Sequence, residues 1–318
     1  MKVALVGLGV IGKVHLAVLK ELGADIVAVC DILPERCEGA GAAVYTDYEE
    51  MLAAEKPDAV HICTPHYLHA DMVVRALELG INVLCEKPLC IRKEDIARVL
   101  EAERKSSAQL GVCLQNRYNA SSVFVKEHLS GRRIDFAFGS LLWHRDAAYY
   151  ASGDWRGKWA TEGGGVLINQ AIHTVDLLEW ICGEPNSVEG RIFNHSLEGV
   201  IEVEDTAYAM FGGEVPFEIF ATNTAAADMP VEIVFLSEGE RITLLPDAVT
   251  VDGKPVALDA AGGWYGKRQY GSGHARLIAH FYDSLARGEK FPVDGAEGAR
   301  SVRAVLAVYA SGGARVPV

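Results

Sequence analysis

Short apolar runs alternate with helix-length amphipathic segments through the first third of the chain. Nearly continuous apolar runs, which are typical of strands buried on both faces, occupy residues 2–6, 26–30, 59–63, 82–85 and 110–115. Segments with apolar residues three and four apart predict helices over residues 11–22, 48–54, 69–79 and 92–106. Strands that alternate with helices in this way predict a parallel sheet covered on both faces.

The pattern changes after residue 119. A helix is predicted over residues 120–129, and later segments alternate apolar and polar positions. These segments predict strands at residues 135–144, 187–194, 206–211, 217–223, 231–236 and 241–245. Helices over residues 273–287 and 297–310 close the chain. We therefore expect an α/β protein with two domains, residues 1–119 with a doubly wound parallel sheet and residues 120–318 with an open, mostly antiparallel sheet. The last helix is a candidate to pack back on the first domain.

A glycine motif joins the first strand to the first helix. Gly7, Gly9 and Gly12 form the pattern G-x-G-x-x-G, with a strand before it and a helix after it. Gly7 suits a tight turn, Gly9 leaves room for a pyrophosphate, and Gly12 lets helix and strand approach closely. The free N–H groups at the helix N-terminus favour phosphate. The motif predicts a dinucleotide-binding Rossmann domain.

The end of the second strand bears on the choice of dinucleotide. Asp31 follows that strand, where a carboxylate can accept hydrogen bonds from both ribose hydroxyls and repel a 2′-phosphate. Arg36 lies nearby and is able to hold a 2′-phosphate or stack on adenine. We therefore expect NAD as the cofactor, with NADP as the alternative.

Further polar residues follow other strands, at the sheet edge where ligands of α/β proteins bind. Thr64, His66, Lys87 and Asn116 each come just after a predicted strand. His66 and His69 are expected to lie against the cofactor rather than to catalyse, and no metal site is expected from their spacing. The predicted cofactor-binding residues are Gly7, Gly9, Val10, Ile11, Gly12, Asp31, Arg36, Thr64, Pro65, His66, His69, Glu86, Lys87 and Asn116.

The segment Val83 to Leu89 organises these features. Lys87 stands at the carboxyl end of a buried strand and directly before Pro88, which keeps Lys87 out of the helical region. An ammonium held in an extended turn at this edge is placed to meet a ligand. Taken alone, the same residues fit a charged surface loop equally well.

A second polar cluster follows Gly163-Gly164-Gly165. On a regular helix over residues 166–182, Asn169, His173 and Asp176 share one face. One interpretation is a half-buried histidine whose hydrogen-bond partners are Asn169 and Asp176. The other is a site, because three glycines carry an entropic cost that is reasonable where a cofactor or substrate comes close.

Composition narrows the classes of partner. Lys plus Arg number 30 and Asp plus Glu number 43, a formal net charge of −13, which argues against nucleic acid and anionic membrane surfaces. No apolar run approaches the roughly 20 residues that a membrane span needs, and a strand follows Met1 where a signal peptide would stand. The seven cysteines are irregularly spaced, as in a reduced, cytoplasmic protein.

The order and spacing of these motifs resemble the Gfo/Idh/MocA family of sugar and cyclitol dehydrogenases. The motifs that carry the resemblance are the glycine fingerprint, Thr64-Pro65-His66, Glu86-Lys87-Pro88, and Gly163-Gly164-Gly165 followed by His173 and Asp176. The resemblance implies a nucleotide-binding domain, a second domain whose open sheet often makes oligomer contacts, and roles for Lys87 and His173. It also implies a homodimer or homotetramer. Many members have aspartate where this chain has Asn169, and an amide cannot take a proton at neutral pH.

These observations give one main hypothesis, an NAD-dependent dehydrogenase that acts on a secondary hydroxyl of a sugar or cyclitol. His173 is the expected base, Lys87 stabilises the alcohol oxygen, and Asn169 orients a hydroxyl. Lys87 as the base is the alternative assignment. The predicted substrate-binding residues are Lys87, Arg117, Tyr118, Trp155, Arg156, Lys158, Asn169, His173, Tyr265 and His274. Rival hypotheses are a glycosidase that uses transient oxidation, a sugar-nucleotide dehydrogenase, and a non-catalytic NAD- or sugar-binding regulator.

Overall fold

The computed structural model describes residues 1–258 and 271–318, and the chain divides into two compact units. The first unit contains Met1–Gln115 and His274–Ala299. The second contains residues 116–258 and 271–273 and Arg300–Val318. Tyr265, a predicted substrate residue, lies outside the described residues.

The first unit contains the predicted parallel sheet. Its described strands are β1 (Lys2–Val6), β2 (Asp25–Cys30), β3 (Ala43–Tyr45), β4 (Ala59–Ile62), β5 (Asn82–Cys85) and β6 (Leu110–Val112). They pair in the order β3-β2-β1-β4-β5-β6, and each pairing is parallel. The order reverses between β1 and β4. That switch point is where open sheets of this kind form a crevice for ligands.

Helices connect these strands as the sequence pattern predicts. They are α1 (Val10–Glu21), α2 (Tyr48–Glu55), α3 (His66–Glu78) and α4 (Lys93–Lys105). Asp47 caps α2, because its carboxylate accepts the N–H of Glu50 at 2.9 Å. Leu5, Val60 and Leu84 in the central strands are fully buried, which confirms that helices cover both faces of the sheet.

The first unit also takes in part of the C-terminal sequence. Gly111 of β6 makes this possible, since a Cβ there would lie 3.0 Å from Phe281 and from Phe291. Phe281 belongs to α8 (Gly273–Arg287). The backbone N–H of Val112 donates to the carbonyl of Val293 at 2.8 Å. The unit formed by contacts therefore ends at Gln115 rather than at residue 119, and a later segment joins it. The predicted domains of 1–119 and 120–318, with the last helix as a candidate to pack back on the first, stay a prediction beside these contact units.

The second unit is built on a mixed sheet. Its described strands are β7 (Ile134–Leu142), β8 (Ser187–Phe193), β9 (Thr206–Gly212), β10 (Phe217–Thr222), β11 (Glu232–Ser237), β12 (Glu240–Leu244), β13 (Val249–Val251), β14 (Lys254–Pro255) and β15 (Val316–Pro317). Their order is β14-β13-β12-β11-β7-β10-β9-β8-β15. The pairing of β7 with β10 is parallel and the other pairings are antiparallel. This confirms the mostly antiparallel sheet.

Helices of the second unit include α5 (Ala120–His128), α6 (Ala147–Ala151) and α7 (Ile172–Cys182). The helix α9 (Gly295–Ser311) begins in the first unit and ends in the second. Gly139 of β7 allows α7 to approach the sheet, because a Cβ at Gly139 would lie 2.6 Å from the side chain of Thr174.

The single helix predicted over residues 166–182 is wrong in its first half. Val166–Ala171 forms a π-helical segment, and α7 begins only at Ile172. Glu204 accounts for the irregular start, because its carboxylate accepts the N–H of Gly165 at 2.8 Å and that of Leu167 at 3.0 Å. The wider turn changes the angular spacing of Asn169 and His173 from that of a regular helix.

None of the helices described over residues 1–258 and 271–318 is both long enough and apolar enough to cross a membrane.

Candidate functional site

The glycine turn after β1 provides a cradle for a phosphate. Gly7 has φ +86°, and a Cβ there would lie 2.5 Å from the carbonyl oxygen of Cys63. A Cβ at Gly12 would lie 1.8 Å from the carbonyl oxygen of Gly7. A Cβ at Gly9 would meet no protein atom within 4 Å. The fold therefore explains Gly7 and Gly12, whereas the open space at Gly9 fits a ligand that approaches the backbone.

The first turn of α1 is suited to the same ligand. The N-terminus of α1 has no side-chain cap at Gly9, so the N–H groups of its first turn point away from the helix without a side-chain acceptor there. Apolar side chains surround this edge of the sheet. Val10, Ile32 and Tyr67 are 69%, 81% and 41% exposed. An uncapped helix end beside exposed apolar groups fits a dinucleotide, which has a charged centre and flat rings.

Asp31 stands beside the cradle. Its carboxylate accepts the N–H of Leu8 at 2.7 Å and that of Leu33 at 3.0 Å, so it is held against the glycine turn. Nη1 of Arg36 lies 3.7 Å from Oδ1 of Asp31, and the Arg36 side chain is 45% exposed. The buried carboxylate favours NAD, and Arg36 is the nearby group that could accommodate a 2′-phosphate.

The described hydrogen bonds of His69 are with the protein backbone. This residue was expected to lie against the cofactor, but its side chain is fully buried in the protein. Its Nδ1 lies 2.7 Å from the carbonyl of Pro88 and its Nε2 lies 2.8 Å from that of Thr64. Burial lowers the pKa of His69, while the two carbonyls favour a proton on the ring. His69 thus links the loops that follow β4 and β5. His66 is also buried, at the start of α3.

The side chains of Glu86 and His274 are also enclosed by the protein. Glu86 was expected to bind the cofactor and His274 the substrate, yet they are 4% and 1% exposed. Oε1 of Glu86 lies 3.0 Å from Nε2 of His15 and 3.8 Å from Nε2 of His274. Both side chains therefore serve an interaction inside the first unit. Lys87, the next residue, is half-buried at the end of β5.

The same cluster has the composition of a metal site. One ligand atom each from His15, Glu86, Cys113 and His274 lies within 4.8 Å of the others, and all four residues are buried. Burial raises the pKa of the Cys113 thiol and so disfavours the thiolate that binds metals. The contact between His15 and Glu86 is satisfied by a proton on the imidazole. Within this group, the described hydrogen bonds join Nε2 of His15 to Glu86 at 3.0 Å and to the Cys113 sulfur at 3.9 Å.

Arg117, predicted to line the substrate pocket, is instead part of a buried ion pair in the second unit. Its Nε donates to Oδ2 of Asp176 at 3.0 Å and its Nη2 donates to Oδ1 at 2.7 Å. The two side chains are 5% and 1% exposed. Such a bidentate pair fixes both groups in one geometry. Asp176 is therefore held by Arg117, which the sequence pattern around His173 does not reveal.

Replacing Arg117 with Met is expected to lower the free energy of unfolding by about 3 to 5 kcal/mol, because it removes the bidentate cation from a buried carboxylate. Chemical denaturation measures the change. The double replacement Arg117→Met with Asp176→Leu is expected to recover much of the loss, since no buried charge remains. Equal losses in the single and double variants would contradict this role of the pair.

Asn169 and His173 lie on the segment after the glycines. Nδ2 of Asn169 donates to Oε1 of Glu162, and the other carboxylate oxygen of Glu162 accepts the N–H of Gly157 at 2.5 Å. The orientation of the Asn169 amide is therefore set by a buried acid that sequence patterns did not reveal. Asn169 and His173 are both half-buried, so each can present polar atoms to a ligand.

The triple glycine has a structural explanation at two positions. A Cβ at Gly164 would lie 2.0 Å from the hydroxyl of Tyr309, and one at Gly165 would lie 1.9 Å from the carbonyl of Glu204. The Tyr309 hydroxyl donates to the Glu204 carboxylate at 2.8 Å. Burial raises the pKa of Glu204 to about 7. The fold itself therefore requires glycine at Gly164 and Gly165.

Arg156, a predicted substrate residue, stacks between aromatic rings in the second unit. Its guanidinium carbon lies 4.5 Å from the ring centres of Tyr149 and of Trp155. Its Nη1 donates to the hydroxyl of Tyr149 at 2.6 Å. The stack holds the guanidinium plane in place. Of the remaining candidates, Tyr118 and Asn116 are half-buried and Lys158 is exposed.

Two buried histidines were missed by sequence reasoning. His15 lies on the buried face of α1, and His61 lies inside the apolar strand β4. A polar residue within an otherwise apolar strand was a usable signal, because a buried imidazole requires hydrogen-bond partners. Glu162 and Glu204 carried no comparable signal, since their neighbours in sequence do not indicate burial.

Comparison with known proteins identifies the chain at the level of family. Residues 1–114 match the profile described as the oxidoreductase family with an NAD-binding Rossmann fold, named GFO_IDH_MocA. Residues 133–239 match the GFO/IDH/MocA C-terminal domain. The chain belongs to the Gfo/Idh/MocA family. As a member of this family of oxidoreductases it has an NAD-binding Rossmann domain, and the cradle at Gly9 lies within that domain.

Named relatives of this Gfo/Idh/MocA protein include inositol dehydrogenases. The chain is 31% identical over 193 residues to the inositol 2-dehydrogenase of Salmonella typhimurium strain LT2, a match that covers 58% of this chain and only 55% of that protein. It is 27% identical over 307 residues to inositol 2-dehydrogenase 3 of Saccharopolyspora erythraea, covering 91% of this chain and 86% of that protein.

A solved structure extends the likeness over the whole chain. The WlbA dehydrogenase from Bordetella pertussis, in complex with NADH and UDP-GlcNAcA, is 29% identical with a TM-score of 0.86. The superposition covers 100% of this chain and 98% of that one.

Proposed function

We propose that this protein oxidises a secondary hydroxyl of a sugar, sugar derivative or cyclitol with NAD, or reduces the matching ketone. The observation that carries the proposal is the open cradle at Gly9, beside an uncapped helix end and the Asp31 carboxylate. It stands in a chain whose relatives are named inositol 2-dehydrogenases. Oxidation moves a hydride from the carbinol carbon and a proton from its oxygen.

The residue roles follow from the chemistry of the reaction. NAD, when bound, supplies the hydride acceptor. His173 is the proposed base that takes the hydroxyl proton, because an imidazole changes charge near neutral pH. The Lys87 ammonium donates a hydrogen bond to the same oxygen and stabilises its developing negative charge. The Asn169 amide, oriented by Glu162, positions a neighbouring hydroxyl through its carbonyl oxygen.

Sugar nucleotides are the second candidate class of substrate. The WlbA dehydrogenase structure is in complex with UDP-GlcNAcA, and it matches the full length of this chain. In the second unit, the Arg156 guanidinium packs on the rings of Tyr149 and Trp155. A planar guanidinium in a fixed position suits a carboxylate or a phosphate, since it can donate two parallel hydrogen bonds.

A substrate panel tests the proposal. Absorbance of reduced nicotinamide is followed with inositols, free sugars, glycosides and UDP-sugars, each with NAD and with NADP. Substrate-dependent formation of NADH is expected. Release of a free sugar from a glycoside without net formation of NADH would instead support the glycosidase hypothesis, and binding without either reaction would support a regulator.

Two further predictions concern the context of the enzyme. The expected homodimer or homotetramer fits the exposed apolar side chains of the second unit's sheet, where Tyr208 and Met210 are 39% and 43% exposed. Oligomeric state and a cytoplasmic location both stay predictions. Light scattering coupled to size exclusion measures the first.

A further inference from the structure

A chain of hydrogen bonds crosses the interior of the first unit and ends at Lys87. The hydroxyl of Tyr282 lies 2.7 Å from Nε2 of His61, and Nδ1 of His61 lies 2.8 Å from Nδ1 of His15. Nε2 of His15 lies 3.0 Å from Oε1 of Glu86. Oε2 of Glu86 accepts the backbone N–H of Lys87 at 3.1 Å. We call Tyr282, His61, His15 and Glu86 the relay.

The direction of each hydrogen bond in the relay can be assigned from Glu86. Burial alone would raise the pKa of Glu86, but the histidines His15 and His274 hold it well below its usual value. An ionised carboxylate only accepts, so Nε2 of His15 donates to it. We assign Nδ1 of His15 as the acceptor and Nδ1 of His61 as the donor of their 2.8 Å contact.

The outer end of the relay agrees with this direction. Burial lowers the pKa of His61 and raises that of Tyr282. Both shifts favour the uncharged form, so a neutral imidazole lies beside a protonated phenol. Nε2 of His61 accepts, and the hydroxyl of Tyr282 donates to it. Each ring nitrogen of His15 and His61 then has a hydrogen-bond partner. The four side chains of the relay are compatible with a single arrangement of protons. Such a network is worth more than its separate bonds in a low-dielectric interior.

We propose that the relay positions Lys87, because its buried Glu86 carboxylate is held by His15 and accepts the backbone N–H of Lys87. The consequence for catalysis depends on the proposed function, in which the Lys87 ammonium acts on the substrate oxygen. The Glu86 carboxylate is held by Nε2 of His15 on α1 at 3.0 Å, so the peptide N–H of Lys87 is bound to a fixed, buried side chain. A displacement of about 1 Å at a reacting group costs about 100-fold in rate.

Electrostatics connects the relay to the Lys87 side chain as well. Burial chiefly lowers the pKa of His69 and of His274, and the charge of Lys87 lowers both further. Glu86 acts on the same two histidines in the opposite sense, raising the pKa of each. The Glu86→Gln change therefore alters the electrostatic surroundings of these histidines as well as the hydrogen bond to the Lys87 backbone.

Amide hydrogen exchange at Lys87 tests the positioning without using activity. In Glu86→Gln, one carboxylate oxygen becomes an NH₂ group. Because His15 and the Lys87 N–H both donate to Glu86, the single amide oxygen can accept from only one of them. Exchange of the Lys87 N–H is expected to become about tenfold faster or more, because a charge-assisted bond is lost. Tyr282→Phe is expected to accelerate it by a smaller factor, since His61 loses its donor. The matched control is Glu103→Gln, another carboxylate of the first unit, which accepts the N–H of Gly295 at 3.3 Å and lies outside the relay.

Steady-state kinetics on an active substrate provide the second readout. Glu86→Gln is expected to lower kcat about 10- to 100-fold, with KM and the Kd for NAD changed less than about threefold. If Glu86 had a purely structural role, its replacement would lower thermal stability without lowering kcat selectively relative to KM and the Kd for NAD. The effects of Glu86→Gln and Tyr282→Phe on kcat are expected to be less than multiplicative in the double variant, as for residues that act as one network.

Several outcomes overturn the proposal. Unchanged exchange at Lys87 in Glu86→Gln, faster exchange with unchanged kcat, or acceleration of equal size in Glu103→Gln each contradict it. A stoichiometric metal found by elemental analysis of the purified protein also contradicts it, because Glu86 and His15 would then be ligands. If the wild-type enzyme turns over no substrate of the panel, the proposed function fails, and the exchange experiment still decides the relay.

Discussion

Replacing Lys87 with Met is expected to lower kcat about 100- to 1,000-fold, the range found when a donor to a developing oxyanion is removed. Met matches the length of the lysine stem and removes its ammonium. The Kd for NAD, measured by quenching of nicotinamide fluorescence or by calorimetry, is expected to stay within about threefold. The decrease in kcat can then be assigned to the chemical step, since the substitution does not change the NAD-binding turn at Gly9.

The matched control for this change is Lys93→Met. Lys93 is an exposed residue of the same unit, at the start of α4, and carries the same charge. It is expected to leave kcat unchanged. Turnover near the wild-type rate in Lys87→Met, or an equal loss in the Lys93 variant, would remove the basis for the role given to Lys87.

Replacing Gly9 with Ala is expected to weaken NAD binding about 10- to 100-fold, the size of one overpacked contact. The added methyl group meets no protein atom within 4 Å, so it occupies only the space assigned to the pyrophosphate. The melting temperature without NAD is expected to change little. Calorimetric titration with NAD and thermal unfolding measure the two quantities.

Gly12→Ala is the comparison variant, because it adds the same methyl group to the same turn at a position that is filled by protein. Its methyl group would lie 1.8 Å from the carbonyl oxygen of Gly7, so the turn itself must shift. We expect a large loss of stability in that variant, whether or not NAD is present. If Gly9→Ala binds NAD normally, the cradle is not where the cofactor's phosphates lie.

Local patterns were sufficient for the regular elements. The strand Lys2–Val6 was predicted with its observed bounds, because a buried parallel strand is a continuous apolar run and Gly7 ends it with a positive φ. The helix capped by Asp47 was predicted for the same kind of reason, since a cap and its helix are neighbours in sequence. The glycine fingerprint was predicted for the same reason, because its strand, its glycine turn and its helix follow one another in sequence.

Contacts between residues that are distant in sequence could not be predicted from these local patterns. Arg117 and Asp176 are 59 positions apart, and His61 and Tyr282 are 221 apart, so no local signal joins them. The π-helical start of the helix before His173 depends on Glu204, which comes from another segment. Several predicted ligand-binding side chains, such as those of His69 and Glu86, therefore have protein partners that no local pattern indicates.

The most direct test follows reduced nicotinamide in the wild type and in Lys87→Met, across inositols, sugars, glycosides and UDP-sugars with saturating NAD. The account predicts NADH formation by the wild type with at least one of these alcohols, and its near-complete loss in the variant while NAD still binds. Absence of any substrate-dependent NADH from a wild-type enzyme that binds NAD would contradict it.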